Sequence, residues 1–454
     1  MERGRAAESR LGTEKLGRLM LQMGIPTLVA QLINLLYNMV DRIYIGHIEG
    51  VGANALTGVG VSLPIILIIT AFSSFVGAGG APLAAIALGK GDRERAERIL
   101  GNGMTMLLAF SAILTAFFLI FKKPFLYMVG ASDITYPFAN SYITIYLLGT
   151  LFVLTTMGLN TFITAQGQSK IAMLSVVIGA VLNIALDPLF IFAFGMGVKG
   201  AALATIISQA VSAAWVLRFL TNPHTALRLR IGRMKPDWGI IGSVAALGVS
   251  PFIMQATESL ISIVMNKGLS VYGGDLYVGS LTILQSVMQL IFLPINGFMQ
   301  GVQPIMSYNY GAGNVDRVKA TIKRALILCV SFSMIMSLSA IIFPGVYARV
   351  FTGDAALIDL VKIALPIYVA GMTIFGLQCA CQSVFMALGQ AKISLFIALL
   401  RKVFLLAPLA IILPKITGSV MSIYYSEPIS DALSAITCGI LFAINIKRIL
   451  ACSD

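Results

Sequence analysis

Four polar side chains recur at spacings of three, four and three within one apolar stretch: Gln31, Asn34, Asn38 and Asp41. On a helix they form a single stripe. A second stripe, Gln255, Glu258 and Ser262, repeats the pattern. Asn183 and Asp187 lie one helical turn apart, with Pro188 directly after them. Gln285, Gln289, Asn296, Gln300 and Gln303 make a neutral amide stripe. Carboxylates and amides present oxygen donors, which hold protons or hard cations. The amides bond varied ligands without fixing a charge. Polar groups inside apolar segments are expensive and mark functional sites or helix-to-helix bonds. Asp187 also fits an Asp-Pro turn at a helix end, since proline removes a backbone donor. Glu427 and Asp431, four apart, are further candidate charges that could equally pair with Arg401 and Lys402.

These residues need membrane helices to position them. Hydrophobic residues make up 58% of the chain and charged residues 11%, against roughly 25% charged in soluble domains. Twelve apolar segments are each near the ~20 residues that cross a bilayer. They cover 19–46, 53–78, 99–121, 136–157, 169–193, 198–220, 239–266, 277–305, 322–345, 359–387, 392–413 and 421–445. An all-α membrane protein of twelve transmembrane helices is expected. The segments fall in two halves that repeat. Gly79, Pro82, Gly89 and Gly91 align with Gly301, Pro304, Gly311 and Gly313, and Ala165, Gly167 and Gln168 with Ala387, Gly389 and Gln390, at one constant offset. Gly24, Gln31 and Asn34 align with Gly248, Gln255 and Glu258. The two stripes are thus equivalent, and the symmetry favours a cavity shared between the halves over interhelical bonding alone. Six spans per half make the halves parallel repeats: 1–220 is an amino-terminal six-helix lobe, 221–238 a polar linker and 239–454 a carboxyl-terminal six-helix lobe.

Orientation follows from Lys and Arg. Twenty-two lie in loops on the side of the termini and six in loops on the other. This bias makes both termini cytoplasmic and accounts for the net charge of +13 without nucleic acid. The charged amino terminus shows no signal-peptide core. Five scattered cysteines suggest no disulfide framework and read as small apolar fillers. His47 and His224 fall in loops, and no nucleophile or metal-ligand motif stands out, so an enzyme is not expected. Two homologous lobes with ionisable groups point to alternating access rather than to a channel.

The chain resembles the prokaryotic multidrug and toxic compound extrusion (MATE) transporters over nearly its whole length. The matching stretches are Gly24–Ile25–Pro26 with Asp41, Gly89–Lys90–Gly91–Asp92, Gln166–Gly167–Gln168, Leu182–Asn183 through Asp187–Pro188–Leu189–Phe190–Ile191–Phe192, and Gln303–Pro304 with Tyr308–Asn309–Tyr310–Gly311–Ala312–Gly313. The resemblance implies V-shaped lobes, a central cavity and export of cationic or aromatic drugs driven by Na+ or H+ entry across the plasma membrane. No other cofactor is implied, and a monomer is expected. Carried over residue by residue, the coupling-ion site falls on Asp41, Asn183, Asp187 and Thr205, which would also be the Na+ ligands in a sodium-coupled protein. Tyr37 lies nearby, and the family's bend in the first span falls on Pro26. The expected substrate cavity comprises Gln31, Asn34, Tyr37, Asn38, Gln255, Glu258, Gln285, Gln289, Gln378 and Gln382. Gln378 and Gln382 stand in the tenth span, where some members keep an acid; that departure weakens the case for a carboxyl-terminal ion site. Two carboxylates close together in low dielectric cannot both stay charged and unpaired, which suits exchange of one cation for another. A lipid-linked oligosaccharide flippase of the same superfamily is the alternative. It would need cationic cavity groups, and the first stripe ends in an acid.

Overall fold

The computed structural model describes residues 10–451. Among them there are helices and no strands. In chain order the helices are α1 (Leu16–Gly46), α2 (Gly52–Gly89), α3 (Arg93–Met128), α4 (Tyr136–Leu148), α5 (Thr150–Ala165), α6 (Ser169–Pro188) and α7 (Val198–Thr221). The second half repeats them as α8 (Trp238–Gly273), α9 (Asp275–Gly311), α10 (Val315–Ile342), a short α11 (Pro344–Phe351), α12 (Ala355–Tyr368), α13 (Met372–Ala387), α14 (Ala391–Leu399), α15 (Ala407–Thr417) and α16 (Met421–Ala451). A π-helical turn, Leu189–Ala193, continues α6, and another, Leu400–Leu406, joins α14 to α15.

Among the described residues, ten helical stretches are long and apolar enough to span a membrane; counting two bent pairs as spans makes twelve. The pairs α4–α5 and α12–α13 bend by 59° and 48°, at Gly149 in the first half and just before Met372 in the second. These bends are repeat-related. Turns are repeat-related too: Gly91 and Gly313, which follow α2 and α9, adopt φ +77° and +71°, a region glycine enters without steric cost. After the first of them, Asp92 accepts a hydrogen bond from the Arg95 backbone N–H at 2.9 Å and caps α3.

Each half has its own apolar core. The cores do not divide at the linker. Leu11, Leu16, Leu19, Met20 and Met23 pack in the carboxyl-terminal core, and Val244 packs in the amino-terminal one. The first turns of α1 and α8 therefore each cross to the opposite lobe. Arg317 Nε and Asn309 Nδ2 both donate to the Leu11 carbonyl, at 3.1 and 2.9 Å, and anchor the start of the chain there. The linker packs on α3: Arg230 pairs with Glu97 at 3.3 Å and Arg233 with Glu94 at 2.6 Å.

The lobes meet through backbone-to-backbone crossings of α2 with α8 and of α1 with α9. A Cβ at Gly248 would lie 2.0 Å from the Phe75 carbonyl oxygen, and one at Gly301 2.2 Å from that of Met23. At the terminus-bearing ends of α2 and α9, Cβ atoms at Gly89 and Gly311 would lie 2.0 Å from Tyr308 O and 2.1 Å from Ile86 O. Small residues allow such approaches between membrane helices. The lobes are closed on the side of the termini.

Candidate functional site

The amino-terminal lobe gathers its polar residues far from the termini. Asp41 lies in the last third of α1 and is buried, while its neighbour Arg42 is exposed. Asp187 closes the α-helical part of α6 and is fully buried. Its Pro188 does not end the helix; the chain passes into the π-helical turn. Asp187 is therefore a carboxylate inside a span and not part of a terminal turn. Asn183 Nδ2 donates to Asp187 Oδ1 at 3.3 Å and to Thr205 Oγ1 of α7 at 3.4 Å. Thr205 in turn donates to the Ala201 carbonyl at 3.0 Å. The Asp41 and Asp187 side chains interact with each other. Of the four residues assigned by resemblance to the coupling-ion site, Asn183, Asp187 and Thr205 are thus joined by hydrogen bonds, with Asp41 interacting with Asp187.

Three buried acceptor oxygens there have no hydrogen-bond partner: Asp41 Oδ1, Asn183 Oδ1 and Asp187 Oδ2. Buried polar atoms are nearly always satisfied. Interacting carboxylates with orphaned oxygens need protons or a cation between them. The donor set is two carboxylates, an amide and a hydroxyl, all hard oxygens, which fit an alkali cation or a proton. Among the described residues, no three His, Cys, Asp or Glu side chains gather as a transition-metal centre would require.

A cavity of about 130 Å³ adjoins this pocket, between α1, α5, α6 and α7. Gln31, Asn34 and Tyr37 line it, as do Asn183 and Thr205. No basic side chain lines it. Its volume is below the ~300–1,000 Å³ of drug-sized pockets, so in this state it suits water and a small cation.

The remaining cavity candidates are placed differently. Asn38 is exposed and bonds the Asn34 carbonyl at 2.7 Å. Gln255 clasps the lobes: its Oε1 accepts from Ser74 at 2.8 Å and its Nε2 donates to Thr70 at 2.9 Å. Its repeat mate Gln31 donates to Gln300 Oε1 of α9 at 3.1 Å. The two stripe glutamines that pointed to a shared cavity therefore tie each lobe to the other's second helix. Gln285 is half-buried and Gln289 exposed on α9. Gln378 and Gln382, expected in the substrate cavity, are instead buried in the carboxyl-terminal lobe. Gln378 accepts from Ser434 Oγ at 2.6 Å, and Gln382 Nε2 donates to Ser250 Oγ at 3.3 Å. Gln378 Oε1 and Gln382 Nε2 are thus engaged between helices. Pro26 lies buried within α1, which runs unbroken past it.

The charges of the carboxyl-terminal lobe pair with one another. Arg401 reaches Asp431 at 2.7 Å and Glu427 at 3.2 Å, and stacks over Phe375 at 4.4 Å. Lys402 goes to Glu258 at 2.7 Å rather than to Glu427 or Asp431.

Sequence reasoning missed Gln209, Ser212 and Asn160, which also line the amino-terminal cavity. A signal existed: Thr205, Gln209 and Ser212 are spaced four and three apart on one face of α7. Tyr142, whose hydroxyl approaches Thr205, carried no such signal.

Comparison with known proteins finds relatives that span nearly the whole chain. The multidrug export protein MepA of Staphylococcus aureus is 25% identical over 411 residues, 90% of either chain, and that of Staphylococcus haemolyticus is 24% identical over 418 residues, 91% of either. Among solved structures, a MATE protein in its bent conformation superposes with a TM-score of 0.91 at 21% identity, covering 98% of this chain and 99% of that one. An outward-facing multidrug resistance MATE transporter of the MOP superfamily gives 0.89 at 21% identity, covering 97% and 98%. These structures share its fold. Residues 26–189 and 251–412 match the MatE family, one segment in each lobe, and the chain belongs to that family.

Proposed function

We propose that the protein is a cation-coupled multidrug antiporter of the plasma membrane. It exports cationic or aromatic compounds by alternating access, with Na+ or H+ entering in exchange. The observation that carries this reading is the set of three orphaned oxygens on Asp41, Asn183 and Asp187. A proton, a sodium ion or an organic cation can each supply the missing positive charge, and none can share the pocket with another at low cost. The homologous export proteins carry the drug-export part of the reading.

The Lys and Arg bias puts the termini in the cytoplasm. The glycine-packed closure on the side of the termini then makes this an outward-facing state. Moving away from the termini, the last hydrogen bonds between the lobes among the described residues are those of Gln31 and Gln255. Beyond that level Asn34 is half-buried, while Asn38 and Glu258 are exposed. A drug would enter or leave through that cleft, since the lobe cavity itself is too small in this state.

The test is ethidium efflux from proteoliposomes under a Na+ gradient or a pH gradient applied separately. Transport driven by one gradient and lost in both Asp41→Asn and Asp187→Asn is the expected result. The absence of cation transport under either gradient would contradict it.

A further inference from the structure

The repeat holds through the helices that build the amino-terminal cavity. Ser208 and Ser212 of α7 correspond to Ser430 and Ser434 of α16, and Gly149 to Gly371 at the two bends. In this register the cavity-lining residues Gly179, Ala180, Thr205 and Gln209 correspond to Arg401, Lys402, Glu427 and Asp431, and in the register of the first helices, set by Gly24 with Gly248 and Gln31 with Gln255, Asn34 corresponds to Glu258. Five neutral residues around an open space match five charged ones. The two small residues, Gly179 and Ala180, are replaced by the two long cations.

The backbone accommodates the exchange. In the amino-terminal lobe a Cβ at Gly179 would lie 2.5 Å from Ser212 Oγ, so α6 and α7 press together there. At Arg401 and Lys402 the helix is π-helical, and this wider turn accompanies the larger side chains. Arg401 and Lys402 are 3% and 4% exposed, and their charged atoms end on carboxylates at 2.7–3.2 Å. Four of the five charges are buried, and they balance: Arg401 and Lys402 against Glu427 and Asp431. The odd carboxylate, Glu258, has a side chain 59% exposed, where water or cleft contents can reach it.

We propose that the carboxyl-terminal lobe carries its cation covalently. The Lys402 ammonium, held by Glu258, and the Arg401 guanidinium, held by Glu427 and Asp431, occupy the counterpart of the open cavity that adjoins the Asp41–Asp187 pocket in the amino-terminal lobe. The chain then has one exchangeable cation site and a permanently filled counterpart. This inference rests on reading the amino-terminal pocket as a cation site.

The test uses the full-length protein with Lys402→Ala and n-propylammonium, which replaces most of the deleted side chain. Melting temperature is the readout, because a ligand that binds only the folded state raises it saturably. Any saturable shift in wild type should depend on Asp41 and not on Glu258. Lys402→Ala should melt lower and recover with n-propylammonium but not with n-propanol. The recovery should persist in Lys402→Ala/Asp41→Asn and vanish in Lys402→Ala/Glu258→Gln. No recovery, or recovery that survives loss of Glu258, overturns the proposal. Recovery that requires Asp41 would place the ammonium in the amino-terminal lobe, overturning the proposal and leaving the reading of that lobe intact. If Lys402→Ala yields no folded protein, Ala180→Lys tests the idea in reverse. A tethered cation there should weaken ethidium binding at least tenfold more than Ala180→Met does. Equal losses in the two variants would overturn it.

Discussion

At the scale of single residues, the two lobes treat buried charge in opposite ways. Asp41 and Asp187 have unsatisfied oxygens and no basic partner in their pocket, whereas Asp431 and Glu427, although Asp431 Oδ2 is also unpartnered, are paired with Arg401, which stacks on Phe375. The consequences of substitution should differ accordingly. Asp41→Asn and Asp187→Asn remove a charge that has no basic partner in its pocket. They should leave folding near wild type while reducing coupled efflux by at least tenfold. Arg401→Met strands two buried carboxylates. Breaking a buried pair costs roughly 3–5 kcal/mol, so this variant should lose several degrees in melting temperature. The triple change Arg401→Met/Glu427→Gln/Asp431→Asn should recover much of that loss; melting of the purified variants checks both. The acidic pocket was legible in part. Asn183 and Asp187 share a face by spacing alone, but Thr205 needed the family resemblance, and Tyr142 escaped both. The roles of Gln378 and Gln382 were not legible, because an amide stripe looks the same whether its hydrogen bonds go to ligand or to Ser434 and Ser250.

At the scale of elements, close backbone approach decides how the lobes meet. The approaches of Gly89 to Tyr308 and of Gly311 to Ile86 close the lobes on the side of the termini. A methyl group at either position would collide with backbone. Gly89→Ala and Gly311→Ala should therefore disfavour the outward-facing state to similar extents, by repeat symmetry. Spin labels placed across the cytoplasmic ends of α2 and α9 should report a longer distance in both variants than in wild type; unchanged distances would refute this role. The long helices could be read from apolar length, and the repeated glycines from their constant offset. The 59° and 48° bends could not, because each lies inside a continuous apolar segment and the break depends on packing. The crossing of the first turns of α1 and α8 into the opposite lobes was likewise invisible, since an apolar face does not name its partner.

At the scale of the whole molecule, antiport is a competition between cations linked to a choice of which side is open. If the proposed antiport holds, a proton or Na+ in the Asp41–Asp187 pocket and an organic cation bound by the protein should each weaken the other's binding by the same factor. For a proton-coupled protein the sign follows directly. As pH falls, protons occupy the carboxylates and ethidium binding weakens; as pH rises, the pocket regains negative charge and binding strengthens. Asp41→Asn should flatten that dependence in a fluorescence-polarisation titration. For a sodium-coupled protein, added Na+ should act as added protons do.

Gradient-driven ethidium efflux from proteoliposomes tests the central claim most directly. The account requires that a single inward gradient, Na+ or H+, drives efflux from liposomes bearing the wild-type protein, and that Asp41→Asn and Asp187→Asn each abolish it while remaining folded. Efflux that persists undiminished in both variants would contradict it.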